Sequence, residues 1–186
     1  MELFSGLLSS LGLSGAAGLN AYIPLLMVGA LNHFGVMHLA QPYDMISNPW
    51  VMLVVGLLGV LDFVGDKIPG VDHALHLAGG FINTAAGAVL FAAQTGVADI
   101  PPALSLVLGL VVAGGVHATR TAVRPVATAT TAGLGNPVVS AVEDVSSLLL
   151  SVLAIFIPVL AVLALVVFAV VAYRLYARFR GPRRAL

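Results

Sequence analysis

Apolar residues gather in long blocks separated by short polar or proline-bearing stretches. The blocks run Leu3–Leu31, Trp50–Ile68, Leu77–Val97, Pro102–Val123 and Leu134–Tyr173. About 20 apolar residues suffice for a helix to cross a hydrocarbon layer roughly 30 Å thick. The first four blocks match one crossing each, and the fifth is of double length. Pro158 falls inside it, and proline breaks a helix by removing a donor and crowding the preceding turn. A tight hairpin at Phe156–Pro158 divides the block, giving six spans; one long kinked helix would give five. The predicted fold is all-α, a polytopic membrane bundle over residues 1–173 with a short, frayed basic tail over residues 174–186.

Charge placement favours six spans. With both termini on one face, Lys67, Arg120, Arg124, Arg174, Arg178, Arg180, Arg183 and Arg184 all fall on that face and none on the other. Basic residues mark the cytoplasmic side. Both termini are therefore expected in the cytoplasm, with 67–76 and 120–133 as cytoplasmic connections. The first block has no basic leader, carrying only Glu2, and is too long for a signal peptide.

Composition agrees. Of 186 residues, 60% are hydrophobic and 9% charged, against about 25% charged in soluble domains. Mean hydropathy is +1.07. Eight basic residues balance eight acidic ones, so the electrostatic footprint of a nucleic-acid binder is missing. Cysteine is absent, which excludes thiolate chemistry and disulfides.

The remaining polar residues form stripes. Asp62 and Asp66 are four apart, followed by Lys67. His117, Arg120 and Arg124 follow i, i+3, i+7. Asn136, Ser140 and Glu143 follow i, i+4, i+7, with Asp144 adjacent. An ionised side chain at a helix centre costs about 2.5–3.5 kcal/mol on insertion scales. The stripes should therefore face one another in a polar chamber open to the cytoplasm. Two interruptions adjoin it. Gly18–Pro24 breaks the first block, with Asn20 and Pro24 as the breaking residues. Gly133–Pro137 precedes the fifth block, where Asn136 is expected to be non-helical and Pro137 to start the helix. Paired interruptions point to a transporter site, and their backbone must be buried or line a wet cavity.

The segments Gly-Leu-Asn-Ala-Tyr-Ile-Pro (18–24), Asp-Lys-Ile-Pro-Gly-Val-Asp (66–72) and Thr-Thr-Ala-Gly-Leu-Gly-Asn-Pro-Val-Val-Ser-Ala-Val-Glu-Asp (130–144) resemble a bacterial integral-membrane family, domain of unknown function 4126. The resemblance covers roughly residues 10–170, motifs in the same order. The family pattern has Glu where this chain has Asp62, and often Lys where it has Arg120; both differences conserve charge. The resemblance implies a multi-pass protein of the bacterial inner membrane with these residues at its site, and no particular activity.

Each feature has a plain alternative. Asp62, Asp66, Glu143 and Asp144 could hold a divalent cation through oxygen ligands or relay protons. They could equally pair with Lys67, Arg120 and Arg124 to pin helices together. The bases could clamp an anion or only set topology. His73 and His76, beside Asp72, read as loop residues, as do His33 and His38. Gly56, Gly59, Gly79, Gly80, Gly87, Gly109, Gly114 and Gly115 read as sites of close helix packing.

Three functions follow. The first is a small transporter or channel-like permease for an ion, an anionic solute or a lipid headgroup. The second is an intramembrane metal-dependent enzyme acting on a lipid phosphate, with His117 as acid–base or nucleophile and Arg120 and Arg124 holding the phosphate. The third is a non-catalytic assembly subunit. No catalytic set and no cofactor beyond that cation is assigned. The lipid bilayer is the expected partner, and a homo-oligomer is compatible with the sequence.

Overall fold

The computed structural model describes residues 2–65, 71–94, 100–131 and 135–180. Among them are seven α-helices, one short 3-10 helix (Tyr43–Ser47) and no strand: α1 (Glu2–Leu19), α2 (Tyr22–His33), α3 (Pro49–Gly65), α4 (Val71–Ala92), α5 (Pro102–Thr131), α6 (Asn136–Phe156) and α7 (Pro158–Arg180).

α1 is the axis of the bundle. Its small residues allow neighbours to approach on several sides. A Cβ on Gly12 would stand 2.6 Å from the Ala154 Cβ of α6 and 2.9 Å from the Ala161 Cβ of α7. A Cβ on Gly18 would stand 2.6 Å from the Ala113 carbonyl of α5. Ser10 and Ser14 are fully buried and donate to the Phe91 and Gly87 carbonyls of α4, at 3.2 and 2.7 Å. Leu13, Ala16 and Ala17 complete a core shared with Leu90, Leu150 and Ala154.

These contacts fix direction. Along α1 from Ser10 to Ser14, the partners on α4 run backwards from Phe91 to Gly87. From Gly12 to Ala16, those on α6 run backwards from Ala154 to Ser147. From Gly12 to Gly15, those on α7 run forwards from Ala161 to Leu165. Thus α4 and α6 are antiparallel to α1, α7 is parallel, and α6 with α7 forms the hairpin expected around Ile157.

The first apolar block departs from the expected single pass. The chain bends sharply at Ala21, and α2 turns back toward the end from which α1 came. Asn32 near the end of α2 accepts from the Leu39 amide at 3.1 Å, and Leu39 is bridged to Gln94 just beyond α4. α3 then runs antiparallel to α2, with Met52 beside Gly29 and Gly59 beside Tyr22. So α1 and α2 form a re-entrant V whose tip, at Asn20 and Ala21, lies inside the bundle. The Glu2 end of α1 shares an end of the molecule with the Ile157 turn, while Arg180 lies at the opposite end. The expectation of six passes is not confirmed: among the described residues, α3 to α7 run through the bundle in alternating directions, and α1 and α2 form the V. The cause is local: Pro24 bars a continuous helix at its own position, and Asn20 offers the freed amides an acceptor.

Other boundaries move too. α4 begins at Val71, so Asp72, His73 and His76 sit on a helix rather than in a loop; their side chains lie outside the described residues. α4 ends at Ala92, short of Val97. α5 continues through Pro125 to Thr131 instead of ending near Val123, about 45 Å of helix at 1.5 Å per residue. Asn136 is the first residue of α6, one earlier than expected, with Pro137 in the first turn where its missing N–H matters least. The tail is helical to Arg180.

Two helical stretches are long and apolar enough to cross a membrane, Pro102–Ala122 and Pro137–Phe156. Leu3–Leu19, Pro49–Gly65, Gly79–Ala92 and Pro158–Arg174 are apolar but shorter. Not every glycine marks close packing: a Cβ at Gly56, Gly79 or Gly115 would meet nothing within 4 Å, whereas Gly87 and Gly109 lie where α4 and α5 nearly touch.

Candidate functional site

The polar residues converge on the tip of the V. A helix start leaves its first amides unpaired, and here each has an acceptor. The Ala21 N–H donates to Asn83 Oδ1 at 3.2 Å. The Tyr22 and Ile23 amides donate to Asn20 Oδ1 at 2.9 and 3.4 Å. The next residue is Pro24, fully buried, which has no N–H to satisfy. Asn20 thus caps α2, a role worth typically about 1 kcal/mol.

The carbonyls at the end of α1 are paired as well. Ser147 Oγ donates to the Ala16 and Asn20 carbonyls at 3.0 and 3.2 Å. Arg120 Nη1 donates to the Leu19 carbonyl. The same guanidinium forms an ion pair through Nε with Glu143 Oε2 at 2.9 Å, the two side chains only 9% and 11% exposed. Asn20 Nδ2 donates to Asp144 Oδ1 at 2.8 Å. Non-helical backbone inside an apolar bundle is stable only when its polar groups are met in this way.

On the α4–α5 side, Asn83 connects the tip to His117. Since Asn83 Oδ1 accepts from Ala21, its Nδ2 faces His117 Nδ1 at 3.3 Å. Nδ1 must then accept, which leaves the imidazole proton on Nε2, 3.4 Å from the Thr121 hydroxyl. Thr121 itself donates to the His117 carbonyl at 2.9 Å.

Of the residues expected in the chamber, His117, Arg120, Glu143 and Asp144 lie around the break residues Asn20 and Pro24, and Ser140 is buried one turn before the acidic pair. Asp62 is half-buried on α3, within electrostatic reach of the Tyr22 phenol. Asp66 and Lys67 lie outside the described residues, as do the side chains of Arg124 and Asn136. Among the described residues the carboxylates do not pool: Glu143 faces Arg120 while Asp144 faces Asn20. Among the described residues, no three His, Asp or Glu side chains are grouped to hold a metal ion.

Asn83 and Ser147 belong to the site although the stripes omit them. Both carried a signal. Asn83 is an amide near the middle of an apolar block, and Ser147 lies four residues after Glu143, on its stripe.

Beside the ion pair, α5, α6 and α7 enclose a cavity of about 290 Å³, lined by Leu19, Arg120, Glu143 and apolar residues including Val139, Val142, Phe168 and Val171.

No curated protein and no solved structure matches the chain. The family model described as domain of unknown function (DUF4126) matches residues 7–178. That match spans both arms of the V, the acidic pair and the through-going helices, and the chain belongs to this family.

Proposed function

We propose that the chain is a multi-pass protein of the bacterial inner membrane, and that the tip of the V is the working part of a small permease for an ion or small charged solute. Support for the membrane placement comes from the outer faces. Trp50 is 76% exposed, and Leu53, Leu57, Leu61 and Phe63 follow it in the open along α3. The outer faces of α5, α6 and α7 are similarly apolar. Soluble monomers rarely expose contiguous apolar patches beyond a few hundred Å².

Sidedness follows from the charges. Arg124, Arg174 and the end of α7 lie toward the end of the bundle opposite Glu2. Taking that end as cytoplasmic puts the carboxy terminus inside and the amino terminus outside. The only charged residue at the start of α1 is Glu2, so the rule is obeyed.

The observation that carries the permease reading is the V itself. Re-entrant backbone with ionisable neighbours at membrane depth characterises substrate paths. Opening the tip would expose Glu143, Asp144 and Arg120 together, a site able to bind a charged solute. The test is flux into vesicles reconstituted with purified protein, screened across monovalent and divalent cations and small anions. A flux lost in Asp144→Asn, with thermal stability within a few degrees of the parent, supports the reading. No flux for any solute refutes it.

One observation favours a second reading. The backbone groups named at the tip all have partners, as a purely structural joint requires. A membrane assembly subunit built on that joint would co-purify with a stoichiometric partner and show no flux.

A further inference from the structure

The cavity beside the ion pair opens between helices whose outer faces are apolar. Its volume, about 290 Å³, is at the small end of ligand pockets. Val138 and Val142 at its mouth are more than half exposed, so it is continuous with the lipid-facing surface of α6. Its lining is almost wholly apolar apart from the Arg120–Glu143 pair, and an apolar cavity holds water poorly. It lies at the level of the first two turns of α6. Beyond it, toward the basic end, the chain places Arg124 one helical turn past Arg120 on α5, and Arg174 one turn past Val171 on α7. Arg174 is exposed.

We propose that this cavity is a lateral binding site for an anionic phospholipid. One acyl chain fills the space between α5, α6 and α7 as far as Leu19 at the tip of the V, and the headgroup phosphate sits at the Arg174 end. The volume suits a segment of one acyl chain. Arg174 at that end attracts the phosphate of any phospholipid, and favours a net anionic headgroup because a zwitterionic one carries an ammonium that offsets the attraction. The site rests on the membrane placement but not on transport, since a lipid would bind a permease and an assembly subunit alike.

The test uses full-length protein extracted from membranes in detergent. Binding of phosphatidylglycerol and of phosphatidylcholine with identical chains is measured by native mass spectrometry and by thermal shift. Phosphatidylglycerol should bind more tightly. Arg174→Gln should cut that preference about fivefold, the contribution of one basic residue near an anionic headgroup. Val142→Trp, which blocks the mouth, should abolish binding of both lipids. Val145→Trp, an exposed α6 position outside the lining, should leave binding unchanged and controls for the added bulk. Equal affinity for the two lipids, or wild-type binding by a folded Val142→Trp protein, overturns the site. A protein recovered from cells without detergent overturns the membrane placement and the site together.

Discussion

Asn20 and Asp144, 124 positions apart in sequence, are joined by a 2.8 Å hydrogen bond from the asparagine amide to the aspartate carboxylate. The other end of the same amide caps α2. One side chain therefore both ends a helical arm and ties the tip to α6. Arg120 does the matching task for the first arm, through the Leu19 carbonyl and Glu143.

Reversing the polarity of the Asn20–Asp144 link should reveal it. Asn20→Asp alone sets two carboxylates against each other at a part-buried position and should lower stability by about 1–3 kcal/mol. Asp144→Asn alone removes the charge-assisted bond. The exchange N20D with D144N keeps a donor opposite an acceptor and keeps an acceptor for the Tyr22 and Ile23 amides. A double-mutant cycle on unfolding midpoints in detergent should give a coupling of about 2 kcal/mol. Simple additivity would mean that the bond is not formed in the folded protein.

Arg120 and Glu143 should respond unequally to neutralisation. Arg120→Gln leaves a buried carboxylate and the Leu19 carbonyl without their cation, and should cost about 3–5 kcal/mol. Glu143→Gln keeps an acceptor for the guanidinium and should cost less. Neutralising both should recover part of the loss seen with Arg120→Gln alone. Denaturant midpoints order the three variants; an equal loss in both single variants would contradict the shared grip on Leu19.

Glycine substitutions should divide by place. Gly12→Ala forces its new carbon to within 2.6 Å of Ala154 Cβ and 2.9 Å of Ala161 Cβ, and overpacking of this kind costs about 1–3 kcal/mol. Gly56→Ala meets nothing within 4 Å and should leave the melting temperature unchanged or raised. Similar melting temperatures for the two variants would contradict the close approach of α1 to α6 and α7.

Much of this was legible in the residues. Asn20 and Pro24 announce a break, Pro158 announces the α6–α7 hairpin, and the spacings of His117, Arg120, Glu143 and Asp144 put them on facing stripes. The direction taken after the break was not legible, because local chemistry stops a helix without saying where the next one points. Tertiary partners decide that: Asn83, Ser147 and Arg120 hold the tip, and Leu39 beside Gln94 holds the far end of α2. The charged and threonine-rich stretch from Arg120 to Thr131 reads as a loop by polarity alone. Polarity speaks of surroundings rather than of backbone, and α5 runs through it as helix.

The sidedness of the two ends tests the re-entrant V most directly. Epitope tags on the amino and carboxy termini, probed by protease in right-side-out and inside-out vesicles, should be cleaved from opposite faces: the amino terminus from outside, the carboxy terminus from the cytoplasm. Both tags cleaved from the cytoplasmic face would mean that the first apolar block crosses the membrane once, and would contradict the V.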